Sequence, residues 1–145
     1  MKNELLRHII STIKYRFEKS ITDRKENFGE FTLGRGSRSP IELINHMYRV
    51  LYSTRIFLEE ERFCTEQTET IELIEEIERF NRELINIDKA LDSNELPVNY
   101  SKRLLQGPFS DILTHIGQIS MMQRLNGKPI NGEDFSAASI KTGIN

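Results

Sequence analysis

Three side chains in this sequence have the types and spacing of metal ligands. Asp111 and His115 are four residues apart in a segment with helical periodicity, so both project from one helix face, about one turn apart. His46, in an earlier helical segment, would supply the third contact. Three protein ligands leave positions open for water or substrate, as in catalytic sites. The sequence therefore predicts a divalent-ion site, and its nitrogen and carboxylate ligands suit zinc, nickel, iron or manganese.

Each of these residues also has a purely structural explanation. At about 100° per residue, His46, Asp111 and His115 fall on the shoulders of their apolar stripes, where half-exposed polar residues are common. Asp111 lies in the first turn of its predicted helix, where a carboxylate stabilises the positive end of the helix dipole. Gln118 is either a second-shell hydrogen-bond partner of a ligand or an ordinary polar residue at a helix edge.

Four helical segments must position these residues. Their apolar residues recur every three to four positions, which predicts helices at about residues 3–20, 40–60, 68–92 and 108–126. The clearest helix start is Ser39-Pro40, where Glu42 completes a capping box. The last helix is predicted to begin at Pro108, after Gly107. The pattern predicts an all-α four-helix bundle, a single domain spanning residues 1–145, with long connections and an irregular tail, 127–145.

The third predicted helix has an apolar stripe and an acidic run. Its inward positions are predicted to include Ile71, Ile74, Ile77, Phe80, Leu84, Ile87 and Leu91. Its acidic run consists of Glu72, Glu75, Glu76 and Glu78. This run lies largely off the apolar stripe, so we interpret it as a solvated face and not as a metal cluster.

Composition narrows the range of partners. The chain has 145 residues, of which 29% are charged, and a net charge of -2, so we expect no nucleic acid as a main partner. Its apolar runs are too short to span a bilayer, and we expect no membrane association. The amino terminus lacks the pattern of a signal peptide, and the single Cys64 forms no internal disulfide. A cytoplasmic location is the expectation that fits these features.

Two motifs, in this order, resemble those of the DinB-like superfamily, which includes YfiT-like proteins and bacillithiol- or mycothiol-dependent transferases. The first is the capped segment from Arg38-Ser39-Pro40 through His46. The second is Thr114-His115-Ile116-Gly117-Gln118, with the helix exit Leu125-Asn126-Gly127-Lys128-Pro129. The resemblance covers most of the chain, but its specific part is these two short motifs.

The resemblance implies a fold, a site and two alternative functions. The fold would be a four-helix bundle of up-down-down-up order, often dimeric. The usual metal triad is three histidines; His46 matches the first and His115 the last, while Asp111 departs from the pattern in the middle. The implied activity is a metal-dependent small-thiol transfer or hydrolysis, with a small thiol as possible substrate. The alternative is a non-enzymatic, degenerate bundle that acts as a dimeric, stress-related binding protein.

Overall fold

Helices are the main regular elements of the chain. The computed structural model describes residues 1–64 and 67–144. Its helices are α1 (Glu4–Ser20), α2 (Pro40–Glu60), α3 (Leu73–Ser93), α4 (Val98–Leu104) and α5 (Ser110–Leu125). A π-helical turn, Leu105–Phe109, joins α4 to α5, so these form one continuous helical segment, 98–125. No strand occurs among the described residues, and the predicted all-α four-helix bundle is confirmed.

Each helix of the bundle packs against two others. α3 and α5 each contact both α1 and α2. Hydrogen bonds indicate that α1 runs antiparallel to α3 (Asn3 to Leu91) and that α2 runs parallel to α3 (Asn45 to Glu76, Arg55 to Glu83). These pairings are compatible with an up-down-down-up order, which stays a prediction.

The start of α2 is the one that the sequence predicts. Ser39 Oγ accepts a hydrogen bond from the Glu42 N–H at 3.2 Å, and Glu42 Oε1 accepts one from the Ser39 N–H at 3.1 Å. Pro40 occupies the first helical position, where its missing N–H costs no intrahelical bond. This capping box fixes where α2 begins and hence where His46 lies, nearly two turns into the helix.

The predicted start of α3 at Thr68 is wrong. The helix begins at Leu73, after an extended residue, Glu72. The Asn45 side chain donates to the Glu69 carbonyl, and the Ile71 N–H donates to Glu76. These side-chain contacts hold the preceding backbone outside the helix. Ile74, predicted to face inward, is 59% exposed, whereas Glu76 in the same first turn is buried, so this turn presents a different face to the core from the one predicted.

The predicted start of the last helix at Pro108 is also wrong. Gly107 and Pro108 lie inside the π-helical turn, and helical structure begins at Val98. A proline removes one backbone donor and clashes with the carbonyl four residues earlier, and the wider π turn relieves this conflict. Ser110 Oγ donates to the Leu105 carbonyl within this turn. Asp111 therefore does not lie at a free helix amino terminus, which weakens the helix-dipole explanation for its presence.

Charged groups are buried between the helices. Glu76, predicted to be solvated, is fully buried and accepts hydrogen bonds from Asn45 and Arg79. Arg7 of α1 forms two hydrogen bonds of 2.9 Å with Asp88 of α3, and both side chains are buried. An amphipathic pattern does not reveal such residues, because a paired charge on a buried face looks like a polar residue on an exposed one.

The described part of the tail follows α1. Glu133 accepts hydrogen bonds from Tyr15 and Lys19, and the Gly143 N–H donates to Ser11 Oγ at 3.1 Å. A short 3-10 turn, Phe135–Ala137, lies between these contacts. The tail thus covers α1 on a side of the bundle that contributes no residue to the predicted metal site. None of the described helices combines the length and apolar character needed to cross a bilayer.

We predict that Asp88→Ala destabilises the protein by about 3–5 kcal/mol, because it leaves the Arg7 guanidinium buried without its bidentate partner. The measurement is urea unfolding followed by circular dichroism. Lys14→Ala is the control, because its partner Glu18 is solvent-exposed and such pairs contribute at most about 1 kcal/mol. Equal losses for the two variants would contradict the prediction.

Candidate metal centre

The three predicted ligands come together where α2 faces α5. His46 projects from the first half of α2, and Asp111 and His115 project from consecutive turns of α5. The buried residues Ile112, Ile116 and Ile119 fix the rotation of α5, which leaves Asp111 and His115 at the edge of the core. The three side chains converge as the sequence predicts.

Asp111 lies between the two imidazoles. Its Oδ2 is 3.3 Å from His46 Nε2, and its Oδ1 is 3.4 Å from His115 Nε2. The rings of His46 and His115 meet edge to face, with centroids 4.9 Å apart. One ligand atom from each residue can be chosen so that all three lie within 4.8 Å of one another.

These distances suit a small divalent cation. Ligand atoms about 2.0–2.1 Å from a tetrahedral zinc are roughly 3.3 Å from one another. Both histidine-to-aspartate separations are close to that value. The two separations end on different carboxylate oxygens, and the two histidine nitrogens lie within 4.8 Å of each other, so the ligand atoms can surround one ion. The residues present therefore fit a three-ligand site.

Gln118 contacts one ligand on the side away from Asp111. His115 Nδ1 lies 2.7 Å from Gln118 Oε1, which as assigned accepts a hydrogen bond from Nδ1–H. In the neutral imidazole this leaves Nε2 as a lone-pair donor directed at the Asp111 carboxylate. In that orientation two acceptor atoms face each other at 3.4 Å, an arrangement that a cation between them would stabilise. Such an outer hydrogen bond orients most metal-binding histidines.

The surroundings of His46 favour the neutral ring that binds metals. Burial lowers the pKa of His46, and the positive charge of Arg38 lowers it further. The hydrogen bond to Asp111 opposes both effects, but the net direction is downward. A neutral imidazole is the form that coordinates, so these surroundings reduce the competition from protons.

The site lies between two cavities. The main cleft, of about 830 Å³, lies between α2 and the helical segment 98–125, and its wall includes His46 and Asp111. The second cavity, of about 500 Å³, is lined by His115 and Gln118 and by residues of the loop before α2, namely Leu33, Gly36, Ser37 and Arg38. The Asp111 side chain is 45% exposed, whereas those of His46 and His115 are 23% and 13% exposed. A ligand can therefore approach a bound ion from the side of Asp111.

Two arginines and a cysteine near the site were not predicted. Arg49 and Cys64 line the main cleft, and Arg38 lines the second cavity. The sequence could have predicted Arg49, because it lies three residues after His46 and therefore on the same helix face. For Arg38 and Cys64 no such signal exists, because loops place them. The third histidine, His8, lies on α1 and contacts the tail, with its Nδ1 2.8 Å from Thr142 Oγ1.

Comparisons of the chain with family models, with curated proteins and with solved structures find no match. The resemblance to the DinB-like superfamily therefore stays a prediction that depends on the two short motifs.

Replacement of Gln118 offers a test of its orienting role. We predict that Gln118→Ala weakens divalent-metal binding about 10- to 100-fold, because His115 loses the partner that fixes its tautomer and ring orientation. Competition titration with a chromophoric chelator measures the affinity. A second glutamine, Gln123, would not serve as the control, because it is buried and its side chain donates a hydrogen bond to the Thr22 carbonyl. Thr114→Ala, one residue before His115, is the control and should bind metal like the wild type.

Proposed function

We propose that this chain binds a divalent metal ion through His46, Asp111 and His115 and uses it in a small-thiol transfer or a hydrolysis. The observation that carries the proposal is the convergence of three potential ligand atoms within 4.8 Å beside an open cleft. A protein with three ligands leaves coordination positions for a water or substrate, which distinguishes catalytic from structural sites. The DinB-like resemblance, itself a prediction, points to the same chemistry.

The positions of these residues give each of them a different role. A divalent ion would act as a Lewis acid and lower the pKa of a water or thiol bound to it. His46 and His115 would hold it from two helices, so the site forms only when α2 and α5 are packed. Asp111 supplies negative charge from the exposed side, and Gln118 holds His115 in position. The main cleft is within the size range of small-molecule sites.

A second proposal is a non-enzymatic bundle, a dimeric and stress-related binding protein. One observation favours it: Asp111 replaces the histidine of the family pattern and already forms a 3.3 Å contact with His46. A hydrogen-bonded aspartate–histidine pair satisfies both side chains without a metal. This alternative predicts that the histidines contribute only local packing and that the protein takes up no ion.

Metal binding by the three residues is directly testable with protein prepared without an affinity tag. We predict that the wild type binds one zinc or cobalt ion per chain, and that His46→Ala and His115→Ala each weaken binding more than about 100-fold, because a ligand is lost outright. The measurement is metal content after equilibrium dialysis. His8→Ala is the matched control, because His8 lies outside the site.

Circular dichroism of all three variants separates loss of a ligand from loss of the fold. A wild-type protein that retains no divalent ion after reconstitution would exclude the proposed function and favour the non-enzymatic alternative. A His8→Ala variant as defective as the other two would show that the binding occurs elsewhere.

The carboxylate in the middle position determines which ions the site prefers. We predict that Asp111→His raises the affinity for nickel or zinc relative to manganese by about tenfold or more, because imidazole suits those ions and carboxylate suits manganese. The exposed position of Asp111 leaves room for the larger ring. Parallel titrations with the three ions measure the ratio, and Asp111→Asn, which removes the charge without adding an imidazole, is the control. An unchanged ratio would mean that residue 111 does not coordinate.

A further inference from the structure

The main cleft has two walls of different character. On α2 the wall consists of His46, Arg49, Val50, Ser53 and Thr54, which lie along one helix face. The opposite wall is formed by the π-helical turn and the start of α5, and it includes Gln106 and Asp111. The predicted metal site thus lies at one part of the cleft, and the remaining lining mixes polar and apolar groups and is largely uncharged.

Arg49 is the single cationic residue among the described residues that line this cleft. Its only hydrogen bond to the described part of the chain runs from Nη1 to Gln67 Oε1, at 2.8 Å. Its Nε is buried and has no partner among those residues. Buried donors without a partner are rare in folded proteins and call for an explanation. Because that Nε is shielded, an acceptor in the cleft would instead meet Nη2, which makes no hydrogen bond to the described residues.

Arg49 lies close to the candidate metal site. Arg49 follows His46 by three residues on α2, so the two side chains leave the same face about one turn, or roughly 5 Å, apart. A divalent ion held by one carboxylate and two neutral imidazoles keeps a net positive charge. Together with Arg49, it would give the cleft two positive centres, and a guanidinium matches a planar carboxylate through paired hydrogen bonds.

We propose that the main cleft takes a ligand with a carboxylate, which Arg49 binds, and a second polar group that reaches the metal. This inference deepens the proposed function and depends on it. The cleft volume admits such a molecule, and the one-turn offset between Arg49 and His46 is compatible with two groups separated by a few carbon atoms. Arg38 is the competing cation, but it lines the second cavity, on the side of His115.

Two hydroxamates that differ in one group test this assignment on the zinc-loaded protein. Succinic acid monohydroxamate carries a carboxylate at the position where butyrohydroxamate carries a methyl group, and both bind a metal through the hydroxamate. We predict that the carboxylate compound binds about tenfold more tightly, which corresponds to about 1.4 kcal/mol. Isothermal titration calorimetry measures both affinities, and zinc content before and after each titration shows that the metal stays bound.

Three variants identify the residue responsible. Arg49→Gln should remove the preference and leave the affinity for butyrohydroxamate unchanged. Arg49→Lys should keep part of it, because the positive charge remains but the paired geometry is lost. Arg38→Gln is the matched control and should keep the full preference. A preference that survives Arg49→Gln, or that only Arg38→Gln removes, would overturn the assignment.

The results also separate this inference from the proposed function. If the wild type binds zinc but does not distinguish the two hydroxamates, the carboxylate subsite at Arg49 is wrong and the metal site stands. If the wild type binds neither zinc nor the hydroxamates, the metal site is wrong and the subsite that depends on it is wrong as well.

Discussion

The rotation of α5 about its own axis is the constraint on which the site depends. The segment buries Phe109, Ile112, Ile116 and Ile119, and these apolar side chains leave the helix one orientation against α1 and α2. Asp111 and His115 must then lie at the edge of the core that faces His46. A turn of 100° in either direction would bury the carboxylate or carry it into solvent, so apolar packing places the polar ligands.

The π-helical turn shows why the boundaries of this segment could not be predicted from the sequence. Gly107-Pro108 has the form of a helix start, because proline is common at the first position and glycine is common before it. Nothing local to the two residues indicates that α4 precedes them and that the chain stays helical through them. The wide turn is stabilised by packing of Leu104 and Phe109 in the core, which is a tertiary effect. The apolar period after Pro108 was nevertheless sufficient to orient Asp111 and His115.

Elsewhere in the bundle, too, interactions within one helical turn could be predicted from the sequence, and interactions between elements could not. Ser39 and Glu42 interact within one helical turn, so their capping box could be predicted from the sequence. Glu76 and Asp88 are buried because partners from other elements, Asn45 and Arg7, satisfy them. Pairing of residues more than thirty positions apart leaves no periodic signal. The three candidate ligands were predictable only because their chemistry is unusual and two of them share one helix face.

The hydrogen bonds around His46, Asp111 and His115 bear on whether the site takes a cation. Neutral His46 can donate its Nε2–H to Asp111, and burial and Arg38 favour that neutral form by lowering its pKa. With the Gln118 amide oriented so that Oε1 faces His115 Nδ1, the proton of a neutral His115 lies on Nδ1, and Nε2 faces the second Asp111 oxygen as a lone-pair donor. In that arrangement a divalent ion would satisfy both contacts at once, because it accepts lone pairs from both rings and from the carboxylate.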